Sequence, residues 1–431
     1  MITNYRKFIS SIYLAGIILF LPSLLLSQQE QTDEIVQQDN SQRSFFKRLG
    51  NPYHLSSGNI KNIPREYRKL YSLLDAYLDS YEKYLVSQNN GRSSPVIFGA
   101  ELLPANCNQG ERLLKPQAIQ EVILYLSRLQ ELGVQGVTFN ICYLLFTPNF
   151  PRYQEYLKYY KKVVQEIRNR GMKLDIETGV IFPAPFSSLP VDYSRLTFDT
   201  YKKEKKEMTA VIIQELHPDY INLGSEPDTE AKITGLKELN DPDKYVELVN
   251  FILADLDKED TELGAGIGTW SSLESMKGLA SRTNLDFICM HIYPVNKQAL
   301  QNTIFIADIA QKYNKKVIAD EVWLYKSFGG EVDSIAANDK VFKRDMYSFW
   351  IPLDIQFLEC MVKLAKIKNI EYISPFWTTY FFGYVDYGIM TRNLSFAQLR
   401  EKVNKEAVKN MLEDKFTRTG EGYKRIIQEN Q

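Results

Sequence analysis

From residue 95 onward, short apolar runs alternate with longer segments whose apolar positions recur every three or four residues. Eight short runs stand out, at 96–100, 136–141, 173–180, 220–224, 263–268, 287–291, 317–320 and 372–377. Near-continuous apolar runs of this length fit strands buried on both faces, as in parallel sheets. The segments between them carry helical spacing. In 118–132, Ile119, Val122, Ile123, Leu126, Leu129 and Leu132 form a stripe closed by Gly133, and 153–170 behaves likewise, with Gly171 as its stop. Alternating strands and helices predict an α/β fold, and eight units favour a closed (β/α)8 TIM barrel over 95–392 rather than an open doubly wound sheet.

The flanking regions have different patterns. Tyr67, Leu70, Leu73, Leu74, Tyr77, Leu78, Tyr81 and Leu85 mark one helix in an N-terminal helical extension, 61–94, expected to cover the bottom of the barrel. Upstream, 28–60 is a polar, Gln-rich linker without periodicity. Arg6 and Lys7 precede an apolar run at 8–26 broken by Pro22, so 1–27 reads as a signal peptide or an uncleaved membrane anchor, and the protein as exported, either secreted or tethered. No Cys lies there to support a lipoprotein. The spacer at 322–371 holds a loop and an amphipathic segment, 345–366, expected to form a rim or lid. The chain closes with a C-terminal helical segment and polar tail, 393–431, and no second domain is expected.

Composition narrows the function classes. In 431 residues, 44% hydrophobic content suffices for a large core. Lys and Arg number 52 against 53 Asp and Glu, a net charge of -1, which offers no electrostatic footprint for nucleic acid. The 27 Tyr and 23 Phe suit sugar-stacking surfaces as well as cores. Of the four cysteines, Cys107, Cys142, Cys289 and Cys360, two lie in apolar runs, so buried free thiols are expected. Neither His-x-x-x-His, Cys-x-x-Cys nor Gly-x-Ser-x-Gly occurs, and no metal or cofactor is expected. Gly264-Ala-Gly266-Ile-Gly268 lacks the spacing and acidic partner of a dinucleotide site and reads as a barrel strand of small residues.

Candidate chemistry gathers at strand ends, where barrel enzymes keep their active sites. Glu226, before Pro227, ends the fourth run and Glu321 the seventh; two carboxylates there flank a glycosidic bond in either a retaining or an inverting geometry. The alternative for each is a helix cap or a surface ion pair. His291 and Tyr293 close the sixth run on one side, with the Tyr hydroxyl placed to donate to Glu321. Trp377, ending the eighth run, is a sugar-stacking candidate or a barrel plug, and Trp270 and Trp323 are weaker versions for which core or rim packing is preferred. Glu101, Asn140 and Glu177 end the first three runs as partners for sugar hydroxyls or for the barrel wall. Asp320 is expected to point away from Glu321 and to be structural.

Together these residues resemble clan GH-A glycoside hydrolases. Gly224-Ser225-Glu226-Pro227 is similar to the clan's acid/base motif, Ala319-Asp320-Glu321 to its nucleophile strand, and His291-Ile-Tyr293 and Phe376-Trp377 to its sixth and eighth strand ends. The resemblance implies a retaining β-glycoside hydrolase with a carbohydrate substrate, Glu226 as acid/base and Glu321 as nucleophile. Ser225 stands where the clan carries an Asn that bonds the substrate 2-hydroxyl; the shorter serine reaches it only through water. The competing expectation is a surface carbohydrate-binding barrel with little or no turnover.

Overall fold

The computed structural model describes residues 62–88, 94–183, 187–331 and 339–431; the predicted signal or anchor and the whole linker, 28–60, lie outside them. Among the described residues no helix is long and apolar enough to cross a membrane.

Eight parallel strands form the sheet: β1 (Ile97–Phe98), β2 (Gly136–Asn140), β3 (Lys173–Glu177), β4 (Tyr220–Asn222), β5 (Glu262–Gly268), β6 (Phe287–Ile292), β7 (Lys316–Val322) and β8 (Ile370–Pro375). They pair in the order β1-β8-β7-β6-β5-β4-β3-β2. Backbone bonds close the ring between its ends: Gln135 N donates to Phe98 O at 2.7 Å, Thr138 N to Ala100 O at 3.1 Å and Leu102 N to Thr138 O at 2.8 Å. This is the expected (β/α)8 barrel.

The barrel interior is layered. Tyr220, Phe287 and Tyr372, near the starts of β4, β6 and β8, pack with Cys289 and Ile318 into an apolar floor. β5 makes room for its neighbour by carrying glycines. A Cβ at Gly264 would lie 2.0 Å from the Phe287 ring, and one at Gly266 would lie 1.8 Å from the Cys289 carbonyl oxygen. All four cysteines are free and buried.

Three expectations about the periphery are corrected. The N-terminal helix, Arg68–Gln88, lies along the outside of the barrel and does not close its bottom. Its buried stripe, Leu70, Leu74, Leu78, Tyr81 and Leu85, runs the length of the helix and needs an equally long partner, which the helix Ile351–Lys368 supplies. Tyr71 stacks on Trp350 at one end, while Glu82 pairs with Lys363 farther along. The amphipathic segment at 345–366 is divided: one helix ends at Asp345, Ser348–Trp350 forms a 3-10 turn, and Pro352 opens the long helix. The C-terminal tail is itself a helix, Arg418–Asn430, with Tyr423, Ile426 and Ile427 buried. Tyr423 donates to Gly99 O at 2.9 Å, tying the end of the chain to β1's exit.

The spacer between β7 and β8 is anchored by buried ions. Lys326 is fully buried between Asp345, at 2.7 Å, and Asp354. Beside it, Arg344 donates to both oxygens of Glu331, at 2.6 and 2.9 Å, and to Lys326 O. Removing the cation would strand two buried carboxylates, so Lys326→Met is expected to cost roughly 3–5 kcal/mol in urea denaturation; a cost below about 1 kcal/mol would contradict this account. Arg344's hydrogen bonds hold the Glu331 carboxyl down at about 2. A depressed folded value adds stability at neutral pH that fades as pH drops from the unfolded carboxyl range toward 2. Glu331→Gln should therefore flatten the melting-temperature profile in that acid window, and an unchanged slope would exclude this pair as its source.

Candidate active site

The end of β4 is shaped from beneath. Tyr245 donates to Gly224 O at 2.6 Å and Gly266 O at 3.0 Å, and Asn222 Oδ1 accepts from Gly224 N at 2.9 Å. Proline at 227 then starts a helix, Pro227–Thr234, with Glu226 in the capping position. The Glu226 side chain makes no cap bond; it lies 2.9 Å from His291 Nδ1. The helix-cap alternative does not describe this residue.

The end of β7 carries an irregularity that sequence periodicity does not reveal. Cys289 pairs with Ile318 and His291 with Glu321, so two steps on β6 match three on β7. The extra residue breaks the alternation of side chains. Asp320 and Glu321 consequently both turn toward His291: Asp320 Oδ1 lies 3.7 Å from Nε2, and Glu321 Oε2 lies 3.2 Å from Nδ1. The expectation that Asp320 points away from the site is thus corrected. The Tyr293 hydroxyl donates to the same Glu321 oxygen, Oε2, at 2.6 Å.

His291 Nδ1 is therefore shared by Glu226 and Glu321, which puts those two oxygens no more than about 6 Å apart. Glu177 Oε2 approaches the other imidazole nitrogen at 3.7 Å, and Asp175, two residues earlier on β3, lies below it beside Thr138. Burial raises the carboxyls of Asp175, Glu177, Asp320 and Glu321, and mutual repulsion raises Glu177 further. Burial opposes charge on His291 as well, yet Glu321, Glu226 and Asp320 outweigh it and carry the imidazole up to about 10.

The remaining candidates separate by location. Asn140, Glu177 and Trp377 line the cavity at the barrel mouth, as does Glu101. Both Glu101 carboxylate oxygens are used in the wall, accepting from Trp377 N at 3.1 Å and Asn106 Nδ2 at 3.4 Å, and burial followed by the Glu321 charge pushes this carboxyl up to about 8. Trp377 adopts a left-handed backbone, φ 53°, fastened by that bond. Ser225 turns its hydroxyl inward, bonded by the Asn222 amide and 2.8 Å from Cys289 Sγ. Trp270 donates to Asp228 at 2.9 Å, and Trp323 is buried and stacked on Tyr380; neither lines the cavity.

The cavity holds about 820 Å³. Sequence reasoning did not identify several of its residues: Asp345 and Phe342 from the β7–β8 spacer, Tyr325 stacked on Tyr293, and Arg400 and Asn404 from the helix Phe396–Leu412. The spacer thus does form rim, as expected. Asp175 was legible as the partner of Glu177 two positions along a strand; Arg400 and Asn404 sit in a charge-rich helix with no distinguishing signal.

No protein-family model and no curated protein sequence matches this chain. Solved structures do share its fold. A GH5_18 protein from Bifidobacterium longum subsp. longum, crystallised in complex with Manb1-4GlcNAc, is similar with a TM-score of 0.52 at 12% identity, covering 78% of each chain. The exo-beta-1,4-mannosidase Op5Man5 from Opitutaceae bacterium strain TAV5 is similar with a TM-score of 0.51 at 13% identity, over 78% of this chain and 60% of that one. At such identities the likeness establishes the barrel fold.

Proposed function

We propose that this chain is an exported retaining β-glycoside hydrolase acting on an oligosaccharide or polysaccharide. The observation that carries the reading is the approach of Glu226 and Glu321 to one imidazole nitrogen. An oxygen separation within about 6 Å suits the roughly 5 to 5.5 Å of retaining enzymes and is too short for the roughly 6.5 to 9.5 Å that leaves room for an attacking water. The side chain of Glu226 is 17% exposed and that of Glu321 8%, which suits a proton donor open to the leaving group and a nucleophile held deeper.

In the first step Glu321 attacks the anomeric carbon while Glu226 protonates the departing oxygen, leaving a glycosyl ester on Glu321. Glu226 then removes a proton from water, which attacks the same carbon and restores the starting anomer. Tyr293 orients Glu321, and Asn140 and Trp377 contact the sugar. One structural neighbour holds Manb1-4GlcNAc and the other is an exo-beta-1,4-mannosidase, so β-mannosides are the first substrates to try.

Ser225 lines the cavity but has its hydroxyl engaged by Asn222 and Cys289, which favours one second reading, a carbohydrate-binding barrel with little turnover. Glycan binding with no product from any bound glycan would select it. Under the leading reading, Glu321→Ala abolishes hydrolysis of an aryl glycoside, and the product anomer seen by NMR matches that of the substrate. Glu226→Gln should cost roughly 10²–10⁴ on unactivated substrates and much less on aryl glycosides whose leaving group needs no proton. Undiminished activity in Glu321→Ala, or an inverted product, would sink the mechanism. Export rests on Arg6, Lys7 and the apolar run at 8–26. Fractionation of the native host should recover the chain outside the cytoplasm, and recovery solely within it would end that part of the proposal.

A further inference from the structure

Below the carboxylate pair buried polar atoms converge, and Glu177 is hydrogen-bonded there only to the carboxyl of Glu321. Asp175 Oδ1, Glu177 Oε1, Asp320 Oδ1 and His291 Nε2 are all buried and have no hydrogen-bond partner among the described residues. Carboxylate oxygens of Asp175, Glu177 and Asp320 come within 4.8 Å of one another. His291 Nε2 stands 3.7 Å from both Glu177 Oε2 and Asp320 Oδ1. That distance is too long for a hydrogen bond. It is ordinary for two ligands that each lie about 2.1 Å from a common ion.

The partners already assigned to these groups turn the remaining atoms inward. Thr138 Oγ1 donates to Asp175 Oδ2 at 3.1 Å, and the Asn222 amide donates to Asp320 Oδ2. His291 Nδ1 faces Glu226 and Glu321 at the mouth, and its Nε2 is the nitrogen turned to Glu177 and Asp320. A carboxylate or carbonyl that fixes one imidazole nitrogen is the usual outer support for a metal on the other. Unpaired buried polar atoms are costly, and four together call for a partner.

We propose that Asp175, Glu177, Asp320 and His291 Nε2 form a binding site for one divalent metal ion beneath the Glu226 and Glu321 pair. One imidazole and three carboxylates suit a borderline to hard ion such as Mn²⁺ or Zn²⁺. Binding supplies positive charge to the buried carboxylates. No spacing motif announces the site, because its ligands come from β3, β6 and β7.

The test is calorimetric titration of the EDTA-treated, dialysed full chain with MnCl₂ and, separately, ZnCl₂. The expected result is saturable binding of one ion per chain, weakened at least about tenfold in Asp320→Asn and in Glu177→Gln. It should be unchanged in His217→Ala, which removes an exposed imidazole beside Glu259. Absence of saturable binding of either ion by the wild-type chain up to about 1 mM, the weak end of protein cation sites, would overturn the proposal. So would wild-type affinity in folded Asp320→Asn, or loss of binding in His217→Ala alone. If Asp320→Asn does not fold, the wild-type and Glu177→Gln titrations decide. Because the readout is ion binding and not turnover, this proposal and the glycosidase reading stand or fall separately.

Discussion

Five carboxyl groups crowd the upper barrel of this chain, and the imidazole of His291 is the basic group that meets them. Among the described residues no lysine or arginine lies within ion-pair distance of Asp175, Glu177, Glu226, Asp320 or Glu321, whereas His291 comes within 4 Å of four of the five. Removing this much charge from water is unfavourable unless the charges are paired, protonated or bound to an ion. The same imidazole links the two layers of the site. Its Nδ1 side faces the carboxylates of the mouth and its Nε2 side faces those beneath, so rotation or loss of this ring would disturb both.

The surrounding scaffold keeps that arrangement dry and narrow. The aromatic floor of Tyr220, Phe287 and Tyr372 shuts the lower end of the barrel, so the charged layer is reached from above. β5 brings its neighbour close by having no side chains at Gly264 and Gly266, and the extra residue in β7 turns two successive acids to one side. The Lys326 cluster fastens the spacer that carries Phe342 and Asp345 to the cavity rim. Two different electrostatic arrangements therefore coexist a short way apart: around Lys326 the cation is a dedicated lysine with two acids, while around His291 acids outnumber bases.

Much of this was legible from residue order. Near-continuous apolar runs and period-3.6 stripes located the eight strands and most of the helices because each strand is buried on both faces and each helix on one. Tyr293 and His291 fell on one side of β6, as alternation requires, and the cysteines were buried thiols. What escaped was what depends on three-dimensional pairing. The β7 bulge cannot be read from Lys316 to Val322 alone, because it is a mismatch with β6. The helix Arg68–Gln88 showed its apolar stripe but not the surface that covers it, and Arg418–Asn430 carries too few apolar residues to declare itself, being held through Tyr423, Ile426 and Ile427. Asp175 was visible two residues before Glu177, yet its meaning emerges only when Asp320 arrives from the opposite strand.

The outer helices give the barrel a polarity of attachment. Arg68–Gln88 begins beside Trp350, at the end of the barrel where β7 and β8 finish, and descends alongside Ile351–Lys368 toward the end where β8 starts. The last helix descends the same way, with Gly422 against Ile355 and Arg425 against Glu359. The chain therefore enters this fold at the open rim and leaves it at the closed floor. A label at Arg68 thus sits at the end of the barrel where β7 and β8 finish, whereas one near Asn430 lies at the opposite end.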